Sequence, residues 1–262
     1  MVPSHPPAIR RGVGRSPTNF GLTQNIPRTE TRLSLLLLIR HGTNDWVHGR
    51  LAGWTPGVHL NEEGRRQAAA LSERLGDLPI SAIYTSPLER CVETATAIAQ
   101  PRSLALRLVE QIGEVRYGEW QGAELKELYK HELWPGVQHY PSGTRFPNGE
   151  TLGEAQMRMV QALDQLRSQH PKQIIAVVSH ADIIKLAVAY YVGIHLDLFQ
   201  RLVINPCALT ALAFERMGPR LLTLNDSGNL DHLRPRPEAP ASSAAPEPIA
   251  GAGGPHPEQE HV

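Results

Sequence analysis

The chain has 262 residues, no formal net charge and 41% hydrophobic residues, which is typical of a folded domain with one sizeable core. The balanced charge and the lack of long basic runs argue against binding to nucleic acid or to a membrane surface. Only two cysteines occur, Cys91 and Cys207, too few for a disulfide scaffold, and this favours a reducing cytoplasmic location. No apolar run reaches the roughly 18 residues that a membrane-spanning helix requires.

The two ends of the chain differ in composition from its centre. Residues 1–32 are rich in arginine and proline, and residues 233–262 are dominated by Pro, Ala, Gly and Glu. Neither segment has enough apolar surface to offset the entropy cost of ordering it. We therefore expect a disordered N-terminal extension, one domain over residues 33–232 and a disordered tail.

An apolar run over residues 35–39 leads directly into Arg40 and His41. Such a run is typical of a strand buried on both faces of a parallel sheet. A second buried strand, residues 173–179, ends in His180 in the same way. Because ligands of open α/β sheets bind at the carboxyl ends of the strands, we expect the two histidines to lie side by side there, less than about 10 Å apart.

Capping signals at three places in the sequence indicate where helices begin. The segment Ser86-Pro87-Leu88-Glu89 combines a serine cap, a proline at the first helical position and a glutamate that completes a capping box. Thr151 and Glu154 form a second capping box, which predicts a long helix to about Gln169. Asn61 is the expected cap of an earlier helix.

The other predicted elements alternate between strands and helices. We expect short strands over residues 80–84, 103–109, 207–214 and 221–224, a helix over 123–133, a flap over 134–149 and a helix after His180. This alternation predicts a three-layer α/β/α sandwich with a mainly parallel sheet.

Cationic and imidazole side chains should meet at one edge of this sheet. Arg90 is expected in the first turn of a helix, where the amide groups and the helix dipole favour an anion. Two arginines and two histidines describe a phosphate pocket, since guanidinium donates two hydrogen bonds to two oxygens. A neutral imidazole could then attack phosphorus, while a carboxylic acid with a raised pKa protonates the leaving alkoxide.

Six ordered pieces of sequence carry a resemblance to a known family. They are Leu38-Ile39-Arg40-His41-Gly42; Leu60, Gly64 and Gln67; Ser86-Pro87-Leu88-Glu89-Arg90-Cys91 with Glu93-Thr94-Ala95; Glu114 with Gly118, Trp120 and Gly122; Pro147, Gly149 and Glu150; and Ser179-His180. Over about residues 35–224 the chain thus resembles the histidine phosphatase superfamily, in its phosphoglycerate mutase-like branch.

The resemblance implies a phosphomonoesterase that hydrolyses a small phosphorylated metabolite through a phosphohistidine. It implies that His41 is phosphorylated and that Glu114 acts as general acid and then as base. The phosphoryl oxygens would be held by Arg40, Arg90 and His180. No metal ion and no cofactor is implied.

The loop after His41 departs from the family pattern. Many relatives have an asparagine six residues after the nucleophile, where this chain has Val47, which cannot donate a hydrogen bond to phosphate. Asn44 is the candidate substitute, and the alternative is an asparagine that caps its own turn. The amide of Ala181, at the expected start of a helix, is a further candidate donor to the substrate.

Two other functions stay open at this point. A cofactor-dependent phosphoglycerate mutase uses the same pocket, but its members carry a long insertion with paired arginines, and Arg145 is the sole arginine between Gly122 and Gly149. An inactive phosphate-binding or interaction domain usually lacks the nucleophile or the acid, and this chain keeps both. The expected partner is a small phosphorylated substrate, and a homodimer is left open.

Several residues near these motifs have simpler structural interpretations. We expect Asp182 to be a helix-start acid and Lys185 a surface lysine. Trp54 and Trp134 are expected to contribute to packing rather than to ligand binding.

Overall fold

A computed structural model of the chain describes residues 33–228. The two predicted extensions, residues 1–32 and 233–262, lie outside this range, and the bounds of the predicted domain stay a prediction. Among the helices of residues 33–228, none combines the length and the apolar character needed to cross a bilayer.

Six strands form one sheet. They are β1 (Ser34–Arg40), β2 (Ile80–Thr85), β3 (Leu106–Leu108), β4 (Ile174–Ser179), β5 (Leu209–Glu215) and β6 (Gly218–Asp226), and their spatial order is β3-β2-β4-β1-β5-β6. The first four strands pair in parallel, whereas β5 and β6 are antiparallel additions at one side. The predicted, mainly parallel sheet is confirmed.

Helices cover both faces of this sheet. They are α1 (Glu62–Leu75), α2 (Glu89–Ala99), α3 (Leu125–Leu128), α4 (Trp134–His139), α5 (Leu152–Gln169) and α6 (Ala181–Val192). Successive side chains of β1 point to opposite faces. Leu36 and Leu38 pack in the cluster that contains the buried residues of α5 and α6, whereas Leu37 and Ile39 pack in the cluster of α1 and α2. The three-layer α/β/α sandwich is therefore confirmed.

The pairing of β1 with β4 brings the two histidines together. Arg40 is opposite Ser179 in the parallel register, so the next residue of each strand leaves the sheet at the same level. The His41 amide then donates to the Ser179 carbonyl oxygen at 3.0 Å. On the other side of β4, the Ser86 amide donates to the Val178 carbonyl at 3.0 Å, which places the start of α2 at the same edge.

The predicted serine cap of α2 is wrong. The helix begins at Glu89 after Leu88, which makes no side-chain cap bond. Ser86 directly follows β2, before the helix begins, and its hydroxyl lies 2.9 Å from Nε2 of His180. The Glu89 carboxylate accepts the Gly57 amide at 2.9 Å instead of closing a capping box. Tertiary contacts thus use both side chains that the local pattern assigns to a cap.

The segment that follows Gly122 also differs from the prediction made from the sequence. The predicted helix over 123–133 is reduced to the single turn of α3, and the predicted flap contains α4, which has a proline in its first turn. The indole of Trp134 stacks on that of Trp120 with ring centroids 6.1 Å apart. This aromatic contact joins the two segments, and local periodicity does not encode it.

Other local predictions agree with the structure. The capping box of Thr151 and Glu154 is present in both directions at the start of α5, and Asn61 accepts the Gly64 amide at the start of α1. The predicted edge strand over 103–109 is confirmed as the shorter β3.

Candidate active site

His41 lies directly after β1 and is almost fully buried, with 4% of its surface exposed. Its Nδ1 lies 2.8 Å from the Gly42 carbonyl oxygen, which can only accept, so Nδ1 carries the hydrogen and Nε2 has the lone pair. Nε of Arg90 donates to this Nε2 at 3.3 Å. Burial, followed by the charges of Arg90 and Arg40, holds the pKa of His41 well below its usual value. The imidazole is therefore neutral, and its unprotonated Nε2 accepts from the arginine.

His180 lies at the equivalent position after β4, and its ring centroid is 5.3 Å from that of His41. Nη2 of Arg90 lies 3.2 Å from its Nδ1. Because a guanidinium only donates, Nδ1 accepts and Nε2 carries the hydrogen toward the hydroxyl of Ser86. Burial, followed by the charge of Arg90, lowers the pKa of His180 well below its usual value. The distance between the two rings agrees with the expected upper limit of about 10 Å.

The two arginines retain donors that nothing in residues 33–228 occupies. Arg90 is 1% exposed and donates to the Gly53 carbonyl at 2.8 Å, but its Nη1 is buried without a partner among the described residues. Nη1 of Arg40 donates to the Ile204 carbonyl at 2.7 Å, and its Nε is likewise buried without a partner there. Buried donors on cations without a partner cost free energy, which an anion would offset.

Glu114 approaches Nδ1 of His180, the nitrogen that also accepts from Arg90. Its Oε2 lies 3.6 Å from Nδ1 of His180, and its Oε1 accepts the Val115 amide at 3.0 Å. Burial raises the pKa of Glu114 to about 7, and the nearby charge of Asp182 adds to the rise, although Arg90 opposes it. The carboxyl group is thus poised to exchange a proton near neutral pH, as the predicted general acid requires.

Arg158 of α5 forms hydrogen bonds to the backbone of the loop that contains Glu114. Its guanidinium donates to the carbonyl oxygens of Gly113 at 3.0 Å and of Glu114 at 3.2 Å. It also pairs with Glu150 at 2.6 Å, and this pair is mostly buried. The indole N–H of Trp54 donates to the same Glu114 carbonyl at 2.6 Å. Trp54 therefore does more than pack, because it fixes the backbone of the predicted acid.

Asn44 and Ala181 have clear local roles. Asn44 is buried, and its side-chain oxygen accepts the Trp46 amide at 2.9 Å. This is the self-capping turn that the sequence left as the alternative, and contact of Asn44 with phosphate stays a prediction. Ala181 is the first residue of α6, directly after His180. Its amide thus lies at the helix start, where the dipole favours an anion.

The expectation that Lys185 is a surface lysine is wrong. Only 9% of it is exposed, and its Nζ donates to Asp182 at 3.2 Å and to Gln200 at 3.2 Å. The hydroxyl of Tyr117 donates to the other oxygen of Asp182 at 2.9 Å. Lys185 is buried because its cation is paired with this carboxylate.

Sequence reasoning missed Arg158, Tyr117 and Asp182 as residues that surround the acid. Glu150 is part of the quoted family pattern, but its polar, glycine-containing surroundings give no signal of a buried arginine partner. The partner itself depends on how α5 packs on the loop, which the sequence does not display.

The assembled groups suit transfer of a phosphoryl group. A neutral imidazole nitrogen, two cations with open donors and a carboxyl group with a raised pKa lie around one point at the carboxyl edge of the sheet. Across residues 33–228 no group of three or more His, Cys, Asp or Glu side chains is arranged to hold a metal ion. The arrangement can bind a dianionic phosphate, attack it and protonate the group that leaves.

Comparison with known proteins agrees with this geometry. The histidine phosphatase superfamily (branch 1) matches residues 36–227. Phosphoserine phosphatase 1 of Hydrogenobacter thermophilus is 29% identical over 194 residues, which cover 72% of this chain and 91% of that protein. A probable phosphoglycerate mutase GpmB of Erwinia tasmaniensis is 27% identical, over 75% of this chain and 93% of its own.

A solved structure has the same fold. It is a phosphoserine phosphatase mutant from Entamoeba histolytica in complex with phosphoserine, with a TM-score of 0.68, 25% sequence identity, and coverage of 77% of this chain and all of that chain.

Proposed function

The chain belongs to the histidine phosphatase superfamily (branch 1), and on that premise we propose that it hydrolyses small phosphate monoesters through a phosphohistidine on His41. The observation that carries the assignment of His41 is its hydrogen bonding. Its Nδ1 hydrogen is held by the Gly42 carbonyl, and its Nε2 lone pair lies beside Arg90, whose Nη1 has no partner among the described residues. A phosphate bound to that guanidinium would stand next to the attacking nitrogen.

The reaction has two steps. Nε2 of His41 forms a bond to phosphorus as the bond to the ester oxygen breaks, and Glu114 gives its proton to the leaving alkoxide. The Glu114 carboxylate then takes a proton from water, which attacks the phosphohistidine, releases inorganic phosphate and restores the neutral imidazole. Arg40, Arg90 and His180 hold the phosphoryl oxygens, and their charge and hydrogen bonds stabilise the transition state.

The substrate is a small phosphorylated metabolite. Relatives named for phosphoserine and for phosphoglycerate support this size class. Hydrolysis is favoured over mutase activity because Arg145, the sole arginine between Gly122 and Gly149, is engaged in an exposed ion pair with Glu154 at 2.6 Å. A mutase needs cations that retain a doubly phosphorylated intermediate.

We further propose that catalysis is independent of metal ions and that the protein works in the cytoplasm. His41, Glu114 and the arginines supply the nucleophile, the proton and the positive charge without a metal ion. Both cysteines, Cys91 and Cys207, are free and buried, which suits a reducing compartment. A homodimer stays a prediction.

One assay separates the two activities. Phosphate release and isomerisation are measured with 3-phosphoglycerate and with para-nitrophenyl phosphate, in the presence and absence of EDTA. We expect phosphate release from para-nitrophenyl phosphate that EDTA does not reduce. Efficient isomerisation of 3-phosphoglycerate with slow hydrolysis would overturn the phosphatase assignment.

A further inference from the structure

Lys185 joins two parts of the fold beside the site. It lies on α6, and its Nζ donates to Oδ1 of Asp182 one turn earlier and to Oε1 of Gln200, at 3.2 Å in each case. Gln200 belongs to the 3₁₀ helix Leu196–Arg201, and Nζ also lies 5.8 Å from the ring centroid of Phe199 in that helix. Because only 11% of the lysine side chain is exposed, these contacts replace most of the water around its ammonium group.

The other oxygen of Asp182 is held by the loop of the proposed acid. The hydroxyl of Tyr117 donates to Oδ2 of Asp182 at 2.9 Å. Burial, followed by the charge of Asp182, raises the pKa of Tyr117 well above its usual value, so the phenol keeps its hydrogen and remains a donor. Tyr117 follows Glu114 by three residues. A continuous chain of contacts, from Lys185 through Asp182 to Tyr117, therefore connects α6 with the loop that contains Glu114.

Charges of opposite sign from several elements face Glu114. Burial, and after it the negative charge of Asp182 on α6, raises the pKa of Glu114 to about 7. Arg90 of α2 and Arg40 at the end of β1 oppose the rise, and Nδ1 of His180, after β4, lies 3.6 Å from Oε2 of Glu114. Without Asp182 the arginines would favour the carboxylate, which cannot protonate a leaving oxygen. An Asp182 without a cation would instead favour the protonated form, which cannot act as a base.

We propose that Lys185 is a positioning residue whose ammonium group balances the charge of Asp182, and that this buried ion pair sets how readily Glu114 gives up its proton and takes it back. The inference rests on the proposed function, because it concerns the acid of that reaction. Glu114 acts first as acid and then as base, so it needs a neighbouring negative charge that is present but balanced. Lys185 acts through Asp182 and not on the reacting atoms.

The test is the pH profile of kcat for glycerol 2-phosphate, an alkyl ester, with the full-length protein. Lys185→Gln and Lys185→Met remove the cation, but Asp182 stays ionised because 24% of its side chain is exposed and Tyr117 still donates to it. We expect the descending limb to move to higher pH by about half a unit or more, so that turnover above the limb rises about threefold over the wild type. A limb that stays in place or moves to lower pH would overturn the inference.

Two further variants separate the charge of Lys185 from its packing. Lys185→Arg retains a cation, and we expect its limb to stay at the wild-type position, which a purely structural role would not explain. Lys130→Met is the matched control, because Lys130 also pairs with an acid three residues earlier, Glu127, but lies exposed. It should leave the limb in place. A limb that moves equally in Lys185→Arg and in Lys185→Gln, or one that moves in Lys130→Met, would contradict the role of the buried pair.

A double variant tests whether Lys185 acts through Asp182. Lys185→Met/Asp182→Asn leaves neither member of the pair as a buried charge without a partner, which favours a folded protein. We expect its limb to coincide with that of Asp182→Asn to within about 0.3 unit, because no acid remains for the lysine to balance. A limb at higher pH than that of Asp182→Asn would mean that Lys185 acts on Glu114 directly, and would overturn the inference.

The wild-type protein distinguishes failure of this inference from failure of the proposed function. A wild-type limb that none of the neutral Lys185 variants moves overturns the role of Lys185 and leaves the proposed function standing. Loss of phosphate release from every ester in the wild-type protein overturns the proposed function and this inference with it.

Discussion

His41 and His180 end neighbouring strands, but their hydrogen bonds differ. His41 donates from Nδ1 to the Gly42 carbonyl oxygen and accepts at Nε2 from Nε of Arg90 at 3.3 Å. His180 accepts at Nδ1 from Nη2 of the same guanidinium and donates from Nε2 toward Ser86. The two rings thus present different nitrogens to Arg90, a difference that the sequence, which predicts only that the rings meet, does not display.

Removal of the His41 imidazole should abolish turnover. In His41→Ala we expect kcat for para-nitrophenyl phosphate to fall at least about a thousandfold, because the bond to phosphorus forms at Nε2 of this ring in the proposed reaction. The matched control is His59→Ala, which removes an exposed histidine that is paired with Glu93 at the surface. Quenching in alkaline detergent with substrate radiolabelled in its phosphate should trap phosphoprotein in the control and not in His41→Ala, because phosphohistidine survives in base and hydrolyses in acid. Labelling that persists in His41→Ala would refute the assigned nucleophile.

The raised pKa of Glu114 sets the pH dependence for poor leaving groups. The protonated acid is present below a pKa of about 7, so kcat for alkyl phosphates should fall as pH rises through 7. Para-nitrophenolate needs no proton to leave, so the pH profile of kcat for para-nitrophenyl phosphate should lack this descending limb above pH 7. Glu114→Gln should slow the alkyl esters by about 100-fold or more and remove the limb. Equal slopes for both substrate classes in the wild-type enzyme would contradict the role of Glu114.

Asp182 should shift this pH limb without taking part in the reaction. Its negative charge raises the pKa of Glu114, second to burial. In Asp182→Asn that repulsion is gone, and we expect the limb for alkyl phosphates to move to lower pH. Tyr191→Phe, which removes a hydroxyl that contacts Asp164 away from the site, is the control and should leave the profile unchanged. A limb that stays in place, in a variant with native stability, would contradict the coupling.

At the scale of elements, a capping pattern forms where the other contacts of its side chains leave the capping atoms available. Thr151 and Glu154 cap α5 as the sequence predicts, because Arg145 takes only Oε1 of Glu154 and leaves Oε2 to accept the Thr151 amide. Ser86 has the same local signal, yet it lies at the edge of the sheet, where His180 takes its hydroxyl. Local sequence reports the caps that a residue can form, and packing decides which of them it forms.

Ser86 and Thr151 should therefore respond differently to replacement by alanine. Thr151→Ala removes a cap and should lower the free energy of unfolding by about 1 kcal/mol while kcat stays near wild type. Ser86→Ala removes no cap, and its effect should appear in kcat, because His180 loses the partner that orients its ring. Denaturant unfolding and turnover of para-nitrophenyl phosphate measure the two effects. A Ser86→Ala enzyme with native kcat would show that His180 is held by other contacts.

Arg158 is expected to position Glu114 through the backbone of its loop. Arg158→Met should lower kcat for alkyl phosphates about tenfold more than for para-nitrophenyl phosphate, with little change in KM, because only the poor leaving groups need the acid. The variant leaves Glu150 as a buried charge, so the double variant Arg158→Met/Glu150→Met is measured beside it. Arg145→Met, which breaks the exposed pair with Glu154, is the control. Equal losses for both ester classes would indicate a merely structural role.

For the whole molecule, the order of strands in the sheet explains why the sequence predicts which strand ends meet. The contacts that the loops make could not be predicted in this way. The two apolar runs that became β1 and β4 are each buried on both faces, so each had to be a central strand, and their shared edge follows. The contacts of Arg158 with the loop of Glu114 join segments more than 40 residues apart in sequence. Such contacts depend on the packing of α5, which has no local signature.

The same organisation predicts that the central part of the chain is sufficient for activity. Every proposed site residue and both core clusters lie between residues 34 and 228, and the family match covers residues 36–227. We therefore expect a protein trimmed to residues 33–232 to match the full chain in kcat/KM for para-nitrophenyl phosphate and in its thermal midpoint. Trimming to residues 43–232 is the contrasting variant, because it deletes β1 with Arg40 and His41 and should neither fold nor turn over substrate. A fall of more than about tenfold in kcat/KM for the 33–232 protein would show that the ends of the chain contribute to the site, contrary to the proposed domain bounds.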